Sequence, residues 1–281
     1  MSENNPLQKY FRRPELFISL PSKGRWWNNE SLILPPNNEL AIFPMSGSDD
    51  LAMRNADGLM NGSTTVEVIQ SCCPSIKNAW LAPMIDLDYL LIAVRIASYG
   101  SKMEFDSKCE KCEEENSYSA DLRWVLENIA IPNYDQPFEI ENGMFVFFKP
   151  DTFDRINKNK IEAFQQQRTI QAISVSNMPD EEKIERIRKD LVELTKHTSE
   201  KIASQIDKII TAEGETVSNY DFIYEFVKNA NREVFNNISD EIIGINKQYK
   251  LPSTKVKCNG CGHEENKTFT FEPSSFFGKS S

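Results

Sequence analysis

The hydrophobic pattern changes character along the chain. From Phe17 to Pro44 it is short and strand-like: Phe17-Ile18-Ser19-Leu20, a turn at Pro21-Ser22-Lys23-Gly24, then Arg25-Trp26-Trp27. Adjacent tryptophans in a strand point to opposite faces, so at most one enters the core of a one-sided sheet. Ser31–Leu34 and Glu39–Pro44 flank Pro35-Pro36-Asn37-Asn38 and read as a hairpin. From Met45 to Cys73 the spacing becomes helical in two pieces. Ser48-Asp49-Asp50 signals a start, since the serine can accept from free amides and acids favour that end. Asn55-Ala56-Asp57-Gly58 signals a stop. Thr64–Cys72 is a second short helix, with a strand left open by its β-branched residues. Pro83-Met84-Ile85-Asp86 begins the most apolar helix, with Leu87, Leu90, Leu91, Val94 and Ile96 around most of its circumference and Gly100 as its stop. A helix apolar nearly all round is central. Arg95 within it either meets a buried acid or snorkels outward.

Asp121 is placed to cap a short helix bearing Leu122, Val125 and Leu126. Phe138–Ile140 and Met144–Phe148 flank Glu141-Asn142-Gly143, and Asn-Gly supplies the positive φ angles of a tight hairpin turn. Beyond Lys149–Thr152, apolar residues recur at helical spacing: Phe153, Ile156, Ile161, Phe164, Ile170 and Ile173. After Asn177-Met178-Pro179-Asp180 come Ile184, Ile187, Leu191 and Leu194, stepped like a coiled-coil seam. The same helix is expected to run through Ile202, Ile206 and Ile209 to Gly214. Ser218–Asp221 starts a third helix with Phe222, Ile223 and Phe226. Asn236–Tyr249 forms a fourth around Ile238, Ile242 and Ile245. After the second Cys-x-x-Cys, Thr268-Phe269-Thr270-Phe271 reads as a strand, and Phe276-Phe277 as a short tail that either packs back as core or serves as a docking peptide.

Two stretches read almost alike. Lys108-Cys109-Glu110-Lys111-Cys112 is followed by Glu113-Glu114-Glu115-Asn116, and Lys257-Cys258-Asn259-Gly260-Cys261 by Gly262-His263-Glu264-Glu265-Asn266. Each is a Cys-x-x-Cys turn between β-prone runs, the form of a zinc knuckle. Two knuckles supply four thiolates, the closed set of a structural zinc site, with metal ligands Cys109, Cys112, Cys258 and Cys261. Ribbon halves are usually separated by roughly 15–20 residues; here Cys112 and Cys258 lie 146 positions apart, so the ribbon is split by an insertion. A redox motif would open a helix after a buried strand, whereas these turns are polar. Disulfides are disfavoured by an N-terminus, Met1-Ser2-Glu3-Asn4-Asn5, without signal-peptide character. His263 could replace a sulfur; a bystander is the simpler reading. Cys72 and Cys73 read as small buried residues, with a reactive thiol as the alternative.

The expected fold class is therefore α+β. A flexible, polar, basic arm that could dock on a partner spans 1–14. A body of short antiparallel strands with a split zinc ribbon spans 15–150 plus 250–281. A long all-α insertion spans 151–249.

Composition narrows the function. The chain has 281 residues, 40% apolar, and a net charge of −10. That charge, with Glu-rich runs after both knuckles, opposes a phosphate-backbone binder. No run approaches the ~20 apolar residues of a membrane span. There are two histidines, His197 and His263, and no phosphate loop, dinucleotide fingerprint, nucleophile elbow or HExxH. Nothing supports an enzyme.

Several segments in order carry a resemblance: Pro21-Ser22-Lys23-Gly24; Pro44-Met45-Ser46 with Asp49-Asp50; Asn55-Ala56-Asp57-Gly58-Leu59-Met60-Asn61-Gly62; Ser71-Cys72-Cys73-Pro74-Ser75-Ile76; and Ile92–Gly100 before the first knuckle. Together they resemble the T4-type phage baseplate protein family over roughly 15–150, with the second knuckle in keeping. The resemblance implies a non-enzymatic hub subunit of a contractile tail, or a hub-assembly factor. Its partners would be other tail and hub proteins, the tape-measure protein among them, and it would assemble in the host cytoplasm and sit at the virion baseplate. The helical insertion, 184–209 above all, is the candidate partner surface, with an internal helical hairpin as the alternative. The competing classes are a nucleic-acid-binding zinc ribbon and a thiol-redox protein.

Overall fold

The computed structural model describes residues 6–175, 179, 182, 185 and 197–268. The chain forms two compact units, dividing after Ala130 and again after Tyr249.

In the first unit, β1 (Leu16–Ile18) pairs antiparallel with β2 (Leu40–Ile42), Phe17 opposite Ala41. The expected hairpin between 31–34 and 39–44 does not form. The amide of Ile33 donates to Ser75 O and that of Lys77 to Ser31 O, both at 2.8 Å, so the polar backbone of 31–33 is satisfied elsewhere. Leu40 and Ile42 are both fully buried, and β1 is their partner.

Three short helices follow where two were expected: α1 (Gly47–Ala52), α2 (Ala56–Met60) and α3 (Ser63–Cys72). Ser46, not Ser48, caps α1. It accepts from the Asp49 amide while the Asp49 carboxylate accepts from the Ser46 amide, a reciprocal capping box. Asn55 begins a helix instead of ending one, accepting from the Gly58 amide at 3.2 Å; asparagine serves both ends of helices, which makes the signal ambiguous.

The centre of this unit is α4 (Met84–Tyr99), where Leu90, Ile92, Ala93 and Val94 are fully buried. Gly100, at φ 87°, stops it as expected. Arg95 is buried with its guanidinium over the Tyr99 ring, 4.4 Å from the centroid. Asp86, also on α4 and fully buried, accepts from the Ser22 amide at 2.9 Å, the Ser22 hydroxyl, and Trp27 Nε1 at 2.7 Å. This pulls Trp27 inward, while Trp26 lies beneath the Arg25 guanidinium. Trp26 has φ 65°, so a turn and not a pleated strand separates the two indoles.

Next come β3 (Lys102–Lys108) and β4 (Glu115–Asp121), paired in one antiparallel hairpin, and α5 (Leu122–Glu127), capped by Asp121. Among the described residues, the hairpin joins no other strand.

The second unit opens with β5 (Phe138–Ile140) and β6 (Met144–Phe148), the expected hairpin. Then come α6 (Phe153–Val175), α7 (described over 197–204), β7 (Ile206–Ile210), β8 (Thr216–Val217), α8 (Tyr220–Asn229) and α9 (Arg232–Gln248). The strands form one antiparallel sheet in the order β5-β6-β7-β8.

Residues 151–249 are thus not all-helical, and the compact unit begins at 131 rather than 151. Ile206 and Ile209 belong to a strand. The β6–β7 register shifts between Phe147 and Phe148, with Val146 opposite Ile209 and Phe148 opposite Ile206. This irregularity lets two isoleucines three positions apart share one buried face, and three is also a helical step. The expected α9 start at Asn236 moves to Arg232, because Asn231 caps it through the Val234 amide. Ile184, Ile187, Leu191 and Leu194, Phe269–Phe271 and the Phe276-Phe277 tail lie outside the described residues.

The chain re-enters the first unit through an Ala130–Lys250 bridge, made by two backbone hydrogen bonds of 3.0 and 3.2 Å. It closes with β9 (Ser253–Lys257) paired to β10 (Glu264–Thr268).

Burial pushes the Asp86 carboxyl up to about 6, against the opposing pull of its Ser22 and Trp27 donors. A folded acid with a raised pKa is favoured most when protonated, so its contribution is complete below pH ~4 and lost as pH rises through ~6. That window is worth up to about 3 kcal/mol. Asp86→Asn removes it and also turns an N–H toward Ser22 or Trp27, costing about 1–3 kcal/mol. Thermal unfolding of both proteins across this window should show the wild-type advantage shrinking as pH rises.

Candidate metal centre

Both Cys-x-x-Cys turns close hairpins, β3–β4 and β9–β10, and they are backbone copies of each other. In the first, Cys109 N donates to Glu114 O at 3.0 Å and Glu113 N to Cys109 O at 2.9 Å. In the second, Cys258 N donates to His263 O at 2.8 Å and Gly262 N to Cys258 O at 3.0 Å. The equivalent residues Glu113 and Gly262 are both left-handed, at φ 61° and 71°. Glycine takes that conformation freely, whereas a side chain costs about 1–2 kcal/mol.

The four sulfurs meet. Cys109 Sγ lies 3.7 Å from Cys261 Sγ, and Cys112 Sγ lies 3.6 Å from Cys258 Sγ. All four fall within 4.8 Å of one another. Four sulfurs bound tetrahedrally at about 2.3 Å would be about 3.8 Å apart. The cluster therefore fits a single metal ion with all four positions filled by protein. Cys109 and Cys258 are buried, while Cys112 and Cys261 are exposed. His263 contributes its carbonyl to the second knuckle, and its imidazole is not among the clustered ligand atoms.

The surroundings are built for negative charge on sulfur. Lys111 N donates to Cys109 Sγ at 3.4 Å. The N–H groups of Cys261 and Gly260, with Cys112 and Asn116, hold the Cys258 thiol down to about 6 despite burial. For Cys112 the Glu114 N–H also pulls down. The thiols of Cys261, Cys258 and Cys109 outweigh it, and Cys112 is pushed up to about 12. A cation that shared the negative charge of neighbouring thiolates would displace their protons, the usual coupling of metal binding to ionisation.

Asn116 escaped the sequence reading, which took its run only as acidic. It is buried, with Nδ2 donating to Cys258 Sγ at 3.5 Å and to Glu114 O at 2.9 Å, while Oδ1 accepts from Asn259 N at 2.8 Å. One amide thus ties the first knuckle to the second, the outer-shell role that orients metal ligands. Its only sequence signal was a lone polar amide at the start of a strand.

Lysines around the ribbon face carboxylates: Lys255 to Glu264 at 2.6 Å, Lys267 to Glu265 at 3.0 Å, and Lys108 to Glu115 at 3.4 Å. Cys72 and Cys73 are fully buried, and burial raises their thiols to about 12 and about 11. Neither is a ready nucleophile.

The sequence model of the T4 bacteriophage base plate protein matches residues 44–278, a span holding both knuckles and everything between them. The chain belongs to that family. No match emerges among curated proteins or solved structures. Membership makes this a bacteriophage baseplate protein, points to the virion tail, and implies contacts with other tail proteins. It also points to a structural role. Among the described residues of this baseplate protein, no helix is long and apolar enough to cross a membrane.

The copied knuckles give a paired test. Glu113→Gly relieves the left-handed side chain and should raise stability by about 1 kcal/mol, whereas Gly262→Glu should lower it by a similar amount. Chemical denaturation of both variants beside wild type reads the two signs.

Proposed function

We propose that this baseplate protein is a non-enzymatic hub subunit, or an assembly factor that organises the hub or the tape-measure protein before tail-tube growth. Its first unit is held together by a structural zinc on Cys109, Cys112, Cys258 and Cys261. The observation that carries this reading is the four-sulfur cluster inside a baseplate-family chain. Such a site leaves no coordination position open for chemistry, so its role is to fix the fold. Assembly would take place in the host cytoplasm, where thiols stay reduced.

Partner contact would fall on the unit 131–249. Ile202, Ile206 and Ile209 of the expected seam are buried in that unit, and so they are withdrawn from it. Phe164 on α6 is exposed, with the Arg168 guanidinium 5.9 Å from its ring centroid, and is the apolar side chain of that helix we assign to a tail protein. The nucleic-acid reading loses ground because Lys108, Lys255 and Lys267 on the ribbon are matched to carboxylates. The thiol-redox reading loses it because Cys72 and Cys73 are buried and poorly ionised.

Infection with the parent phage lacking this gene should yield tail precursors without assembled hubs, scored by electron microscopy and by the protein content of purified particles. Wild-type protein supplied in trans should restore hubs, and Cys258→Ser should not. Normal hubs and tails without the protein would overturn the proposal.

A further inference from the structure

Arg12 belongs to the segment expected to be a free arm, yet its guanidinium is seated in the first unit. Nη1 donates to Pro44 O at 2.8 Å and to Asp49 Oδ2 at 3.1 Å, and lies 3.9 Å from Cys72 Sγ. Nη2 donates to Ser71 O and to Ser71 Oγ, both at 2.8 Å. Four oxygens and a sulfur therefore converge on one planar cation. They come from three places: the residues after β2, the first turn of α1 and the last turn of α3.

The acceptors are set by their own neighbours. Asp49 Oδ2 accepts from Ser46 N and Ser46 Oγ at 2.7 Å each and from Ser71 Oγ at 3.0 Å. Burial pushes the Asp49 carboxyl up, but the Ser46 and Ser71 donors and the Arg12 charge outweigh it and keep it ionised below its ordinary range. The Ser71 carbonyl sits at the C-terminal end of α3, the end that favours a cation. Two nitrogens reach acceptors on two sides, a geometry that a fork satisfies and a point-like ammonium does not. Leu7, Tyr10 and Phe11 stay 61, 73 and 58% exposed, so apolar burial does little to hold the segment. Every acceptor lies within the family-matched span 44–278, while Arg12 lies outside it.

We propose that the pocket made by Pro44, Asp49, Ser71 and Cys72 is a binding site for an arginine side chain, filled within the chain by Arg12. Emptied of Arg12, it takes a guanidinium from an arginine-bearing peptide. The pocket stands apart from the metal centre and from the assembly role, so it can fail while they hold.

The test is thermal unfolding of the full chain with N-acetyl-arginine amide or N-acetyl-lysine amide at equal ionic strength. Arg12→Ala should lower Tm by about 2–6 °C. The arginine amide should raise it back in a saturable way, and the lysine amide should not. Wild type, with its pocket filled, should not respond, and Arg12→Lys should show the same loss as Arg12→Ala. No saturable rise, an equal rise with the lysine amide, or an equal rise in wild type would overturn the proposal. Should Arg12→Ala fail to fold, refolding yield with the two amides gives the same comparison, and equal yields would overturn it.

Discussion

The first unit gathers four thiols to one point although the two pairs lie 146 positions apart. Each pair sits on a two-stranded hairpin that, among the described residues, joins no other strand. Isolated hairpins of that size are marginal in water, and neither knuckle can satisfy a metal alone. Joined, they form a four-sulfur cluster within 4.8 Å, with Asn116 reaching from one turn to the other. A cation there would favour folding in two ways: it would relieve repulsion between ionised sulfurs, and it would close a long chain excursion whose entropy grows only slowly with length.

On the proposed reading, that closure would let a large second unit be tolerated in the middle of a ribbon. The chain leaves and returns side by side at Ala130 and Lys250, paired by two backbone hydrogen bonds. Between them it builds a core of its own: a four-stranded sheet with Val146, Phe148, Ile206 and Ile209 buried, and α9 burying Val234, Ile238, Ile242 and Ile245. Because the excursion carries its own core, it need not draw stability from the ribbon. Metal ligation of the first part and contact with neighbours through the second are the roles proposed for them.

Features written into the local sequence were legible. The knuckles were, because Cys-x-x-Cys has few readings and its duplication fewer. The central helix was, because an all-round apolar run ended by Gly100 has one common fate. So was the hairpin at Asn142-Gly143. Failures came where local rules allow two answers. Ile206 and Ile209 lie three apart, a helical step that an irregular strand pairing also accommodates. Asn55 could stop a helix or start one. Leu40 and Ile42 chose β1 over the nearer residues 31–34, a tertiary choice made by burial. Asn116 and Arg12 were opaque for another reason: their roles lie in long-range contacts, across 142 and 59 positions, that no local pattern announces.

Whether a metal joins the two knuckles can be read from the metal content of the purified protein. Protein purified under reducing conditions and measured by inductively coupled plasma mass spectrometry should carry about one zinc per chain, lost on Cys258→Ser together with cooperative unfolding of the first unit. Protein free of metal, with four titratable thiols at these positions and an unchanged unfolding transition, would show that no metal joins the knuckles.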